Sequence, residues 1–332
     1  MRKLILTLFA AVALVGCHNE PTPVAPDTPR AIAFDNVTTR AGLTDLQDNG
    51  FGVWAVINNT TVQNFMLMDN QHVEYDETDG WYYSPMQYWI DNTKFNFTAT
   101  YPYDSNASYF SYNTEKNAVE LAVSETPSQI DFLIAENETN TSVEGYETTV
   151  DLQFQHMLTS VGLKIWRDNA KHQNDQMRIK KVTLGNIRKG GTYSTTTNTW
   201  TYDDNKLTVE MVNNNLSDTD NIGAVNVNDD GTLDSGGSTA ADPFGDMMLL
   251  PQDLDADNSV SLKIIYELKR QNAADWEEAE LETALPSMTL NPGQRYTFNV
   301  VLSSVTDITV YYIQTKVDPW GTPQVGGTVI IK

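Results

Sequence analysis

From Phe51 onward, short runs of alternating apolar and polar residues are broken by turn residues, a pattern of strands with few helical periodicities. Gly52-Val53-Trp54-Ala55-Val56-Ile57 is almost wholly apolar and ends at Asn58-Asn59. Residues 93–101 alternate, with Phe95, Phe97, Ala99 and Tyr101 on one face, until Pro102 stops the run. Segments 118–123 and 132–135 extend the series. A second series begins near Val150, where Val150, Leu152 and Phe154 alternate, and 161–166 reads as a central strand. Segments 181–184, 206–211, 247–250, 259–268, 295–302, 308–313 and 328–331 follow. Residues 212–243, rich in Asn, Asp, Gly and Ser, read as a long surface insertion. The pattern predicts an all-β chain of two tandem antiparallel β-sandwich domains, 31–148 and 149–332, with no sequence-level repeat between them.

Ahead of the body, residues 31–35 read as a short strand and 37–42 as an open, exposed loop. Further upstream, Arg2 and Lys3 precede an apolar run from Leu4 to Val15, the order of an export signal and too short to span a membrane. Leu14-Val15-Gly16-Cys17 is similar to a bacterial lipobox, which implies a signal peptide over 1–16 and lipidation of Cys17. The alternative, a plain signal with an incidental cysteine, leaves a free thiol on an exported chain with no other cysteine to pair with. Residues 17–30 hold four prolines among polar residues, a stiff tether between a lipid surface and the body.

The chain has 332 residues and a formal charge of −23. Residues 1–40 carry four basic and three acidic groups, so the remainder holds 17 basic against 41 acidic groups, or −24. Such a surface repels nucleic-acid phosphates, so nucleic acid is excluded as a partner. With one cysteine there is no intrachain disulfide, and stability must come from packed cores.

Candidate chemistry is sparse. Asp253, Asp255 and Asp257 alternate as in a calcium loop, but Asn258 and Ile264 stand where a glycine and a bidentate Glu are needed. Asn226, Asn228, Asp230 and Asp234 reach a twelfth position at Gly237, which has no side chain to ligate, so solvated turns account better for both stretches. The four histidines lack paired spacing, and His156 sits in an apolar context suited to a hydrogen-bonded core residue. No nucleophile elbow or phosphate-binding glycine loop occurs, and nothing singles out a carboxylate pair for glycoside hydrolysis among 44 acids. No enzyme activity, metal or cofactor is expected. Trp81-Tyr82-Tyr83, Tyr88-Trp89 and Trp200-Thr201-Tyr202 suit either sugar stacking, if exposed, or core and turn packing.

An ordered set of motifs adds a resemblance. After the lipobox come Thr39-Arg40-Ala41, then Ser84-Pro85-Met86-Gln87-Tyr88-Trp89 leading into Phe95-Asn96-Phe97-Thr98-Ala99-Thr100-Tyr101-Pro102. Leu152-Gln153-Phe154-Gln155-His156-Met157-Leu158, Leu249-Leu250-Pro251-Gln252, Leu290-Asn291-Pro292-Gly293-Gln294-Arg295-Tyr296 and Val317-Asp318-Pro319-Trp320 follow. The set, which spans nearly the whole chain, resembles the fimbrillin-like proteins, lipoprotein-derived subunits of type V pili in Bacteroidales.

The resemblance implies two transthyretin-like sandwiches, outer-membrane anchoring of a lipidated precursor, and a cut by an Arg-specific protease in the N-terminal region. Loss of the first strand, 31–38, would open a groove filled by a strand from an identical or related subunit, in a fimbria serving cell adhesion. Arg40, in a polar loop before Ala41, is the preferred cleavage site; a cut at Arg30 would leave the strand attached. The donor would be Thr328, Val329, Ile330, Ile331 and Lys332, at the end of the glycine- and proline-containing tail 321–332, with Val329 and Ile331 on one face. A surface glycan-binding lipoprotein is the alternative, and a lipid-anchored glycoside hydrolase is the least supported reading.

Overall fold

The structure, a computed structural model, describes residues 29–39, 43–58, 64–106, 108–124, 130–143, 149–212, 222–229, 232–240, 246–254, 260–302, 308–316 and 329–330. The first half comprises β1 (Ala33–Thr39), α1 (Leu43–Asn49), β2 (Phe51–Asn58), β3 (Phe65–Asp76), β4 (Gly80–Tyr82), β5 (Lys94–Tyr101), β6 (Phe110–Asn113), β7 (Ala118–Val123), β8 (Leu133–Asn140) and β9 (Thr149–His156). It continues with β10 (Thr159–Asp168), α2 (Asn169–His172), β11 (Gln176–Arg188), β12 (Gly191–Ser194), β13 (Thr199–Tyr202), β14 (Lys206–Val212), β15 (Ala224–Val227) and β16 (Leu233–Asp234). The remaining strands are β17 (Asp246–Leu249), β18 (Gln252–Leu254), β19 (Ser261–Lys269), β20 (Glu277–Ala284), β21 (Met288–Leu290), β22 (Gln294–Leu302), β23 (Ile308–Lys316) and β24 (Val329–Ile330). The chain is thus almost entirely β, and among the described residues no helix is long and apolar enough to cross a membrane.

One seven-stranded sheet runs β1-β9-β8-β5-β2-β3-β4. Its strand β2, flanked by β5 and β3, explains the near-continuous apolar run. Phe51, Val53, Ala55 and Ile57 enter the core on one face, while Trp54 enters a second cluster on the other. β9 keeps strict alternation and β5 keeps it as far as Ala99, beyond which Thr100 is also buried; they place Phe95, Phe97 and Ala99, and Val150, Leu152 and Phe154, in the first cluster.

A second sheet runs β16-β15-β10-β22-β23-β24 with β17 also on β10, and a third runs β14-β11-β19-β20. They share one core, in which Leu163 and Ile165 of β10 meet Leu262, Ile264 and Tyr266 of β19, all fully buried. A fourth sheet, β13-β12-β7-β6, crosses between the two series of strands, with Gly191 of β12 paired to Val123 of β7. Trp54, Phe110, Leu121 and Ile134 pack beneath it together with the half-buried Tyr193, Trp200 and Tyr202.

The structure departs from the sequence reading in three places. The pairing is not wholly antiparallel, since β1–β9, β10–β22 and β10–β15 are parallel. Residues 37–39 are strand rather than loop, with Val37 only 5% exposed. The 212–243 stretch is not all surface insertion: Ile222 and Val225 are buried and β15 extends the β10 sheet.

Candidate functional site

Residues 31–39 sit between two neighbours that do not pair with each other. On one side β1 runs parallel to β9, with Ala33 opposite Thr149 and Thr39 opposite Phe154. On the other, the start of the strand bonds to the segment before β5: Ile32 N donates to Gln87 O at 2.9 Å, and Trp89 N donates to Arg30 O at 2.9 Å. The register along β9 shifts between Asp35 and Thr38, three residues of β1 against two of β9. That extra residue turns Val37 inward where strict alternation from Ile32 and Phe34 would have buried Asn36.

Ile32, Phe34 and Val37 are 1%, 5% and 5% exposed, and all belong to the core of the first sheet. Phe34 meets the rings of Tyr83, Phe51 and Phe97 edge-on, at centroid distances of 5.6, 6.1 and 6.3 Å. The Tyr83 hydroxyl donates to Ile32 O at 2.8 Å. Burial raises the Tyr83 pKa, offset in part by the Gln87 N–H and reinforced by Tyr88, so the phenol stays a neutral donor at ordinary pH. Each of the three apolar side chains gains roughly 1.5–3 kcal/mol on burial. Without β1, the rings it touches would line an open apolar groove beside the unpaired backbone of β9.

Val329 and Ile330 form β24 and pair antiparallel with Tyr312 and Tyr311 of β23, at the outer edge of the second sheet. Cys17, Arg40, Ala41, Thr328, Ile331 and Lys332 lie outside the described residues, as do Thr148, Asp230, Asp255 and Asp257. Arg30 is engaged, with its carbonyl bonded as above and its Nη2 2.7 Å from Asp91 Oδ1.

His156 is 4% exposed, with Nδ1 2.8 Å from Asp131 Oδ1, consistent with its apolar sequence context. Asn228 and Asp234 serve local turns: Asn228 Nδ2 donates to Thr232 Oγ1 at 2.8 Å and Gly236 N to Asp234 Oδ1 at 3.0 Å. Among the described residues no group of three or more His, Cys, Asp or Glu is placed to hold a metal. Tyr83 and Trp89 are buried and Trp81 is half-buried, so packing accounts for these rings, while Tyr82 and Tyr88 are exposed.

A family model described as fimbrillin-like matches residues 39–320. The chain belongs to the fimbrillin-like family. A crystal structure of a fimbrial protein from Bacteroides vulgatus shares its fold at a TM-score of 0.64 and 17% identity, over 86% of this chain and 99% of that one. A Bacteroides uniformis structure provisionally assigned to cell adhesion aligns at TM-score 0.48 and 16% identity, over 87% and 96% of the two chains. No curated protein matches. In this fimbrillin-like chain, almost all of β1 and the whole of β24 lie outside the family match, while the walls around β1 lie within it. Tyr83 and the 87–89 segment, which hold β1, were not singled out from sequence for that role. The available signal was the Gln87-Tyr88-Trp89 motif itself.

Proposed function

We propose that this fimbrillin-like chain is a non-catalytic structural subunit of a type V fimbria serving cell adhesion, assembled by exchange of its first strand for one from the next subunit. The observation that carries this reading is β1, at the end of its sheet: with Ile32 just before it and Phe34 and Val37 within it, three side chains are buried in the core, directly before a polar stretch that contains Arg40. The precursor is exported as a lipoprotein, held on the outer membrane through Cys17 and the 17–30 tether, with β1 occupying its own groove. An Arg-specific protease cuts between Arg40 and Ala41, releasing lipid and strand together. The engaged carbonyl and ion pair of Arg30 favour Arg40, since a cut after Arg30 would require that segment to be pulled from the fold.

The emptied groove then takes Thr328, Val329, Ile330, Ile331 and Lys332 of an identical or related subunit. Strand addition would re-pair the β9 edge, and alternate apolar residues would refill the positions left by Ile32 and Phe34. We also read the body as two domains, with the boundary after β9, near residue 157, rather than at 148, because β9 pairs within the first sheet and one core cluster draws only on residues 32–154 and another only on 161–302. Deleting residues 328–332 tests the assembly step. The truncated chain should be exported, folded and cleaved, yet form no SDS-resistant ladder; ladders from the truncated chain would refute the donor role.

A further inference from the structure

A cleft of about 820 Å³ opens on the outer face of β8 and β9, away from the groove that β1 fills. One wall comes from the β12–β13 hairpin and carries Tyr193, Trp200 and Tyr202. Trp200 and Tyr202 lie parallel at 6.3 Å, and the Arg188 guanidinium lies 4.3 Å from the Tyr202 ring centre. Opposite stand the exposed Asp151, Gln153 and Gln155, which alternate with the buried core residues of β9. Glu136 of β8 and Asp253 of β18 complete the charged lining.

We propose that this cleft binds a neutral oligosaccharide, with Trp200 as its principal stacking ring. Its volume lies within the roughly 300–1,000 Å³ typical of small-ligand sites. A wall of rings suits the C–H faces of pyranoses, while facing carboxylates and carboxamides suit their hydroxyls. Three carboxylates outnumber the one guanidinium, so sialylated, sulfated or phosphorylated glycans are disfavoured. Arg188 already holds the cation position on Tyr202, which argues against an ammonium ligand there. Burial raises Glu136, and burial followed by the Glu136 charge raises Tyr193, so Tyr193 remains a neutral hydroxyl. The proposal does not depend on strand exchange, because the cleft is complete within one subunit.

The test uses the full chain in detergent on an array of neutral and sialylated glycans, then titrates neutral hits by calorimetry up to about 10 mM, well above a weak millimolar Kd. At least one neutral oligosaccharide should bind, its sialylated form should bind more weakly, and Trp200→Ala should weaken binding about tenfold or more. Because Trp200 also packs in the core, Gln153→Ala, on the exposed face of β9, serves as a second variant. It should weaken binding severalfold at unchanged melting temperature. No neutral binding across the array, equal binding of the sialylated form, or wild-type affinity in either variant would overturn the proposal.

Discussion

Replacing Phe34 by alanine tests whether β1 is part of the precursor's energetic core. Phe34 is 5% exposed and meets three rings edge-on within 6.3 Å, and a Phe→Ala change at such a site costs roughly 3–5 kcal/mol. With a urea slope of about 3 kcal/mol/M for the affected unit, the midpoint should fall by about 1–2 M. Urea unfolding followed by tryptophan fluorescence reads this directly in the uncleaved chain. Thr38→Ala, at an exposed position of the same strand, should change stability by less than about 0.5 kcal/mol. After cleavage behind Arg40 the Phe34 substitution should be silent, because the residue has left the molecule. A Phe34→Ala midpoint within about 0.3 M of wild type in the uncleaved chain would refute the reasoning, since the strand would then contribute little to the fold.

Asp175 accepts hydrogen bonds from His172 Nδ1 and Gln271 N, both at 2.9 Å. Burial alone would raise its pKa, but His172, the Gln271 N–H and Arg270 hold it below 3.8. Its contribution is therefore present above pH 3.8 and lost as pH falls through the lower folded value. Asp175→Asn should cost about 1–3 kcal/mol at pH 7, measured by denaturant unfolding, and the gap should close with acid; a gap unchanged at pH 2 would contradict this. Trp89 is 7% exposed and lies 4.8 Å from Phe95 and 5.8 Å from Phe97. Trp89→Ala should cost roughly 3–5 kcal/mol in thermal or urea unfolding and leave the glycan affinity of the folded protein unchanged; a wild-type melting temperature would refute its core role.

Much of the fold was legible because each sheet has a buried face. Phe95, Phe97 and Ala99, and Val150, Leu152 and Phe154, announce their strands by alternation, and β2 announces a strand buried on both faces by its unbroken apolar run. What escaped was less patterned. β3 is half-exposed and breaks register against β2, so Met68 and Val73 are buried without a clean period of two. β20 places glutamates on its open face and only Leu281 firmly in the core, a composition poor in strand formers. The second half of β1 looked like loop because Asn36, Thr38 and Thr39 are polar, and the bulge that buries Val37 has no local signature. Ile32 and Phe34 were visible as a strand, but their partners Tyr83 and Gln87 are about 50 residues away in sequence. The cleft assembles from five separate segments, so its aromatic wall was visible as a motif while its facing carboxylates were not.

The central claim, that function begins when the first strand is removed, is tested most directly by N-terminal sequencing of the chain isolated from assembled surface fimbriae. The account predicts a single sequence beginning at Ala41. A blocked, lipidated Cys17 on the assembled protein, with β1 still attached, would contradict it.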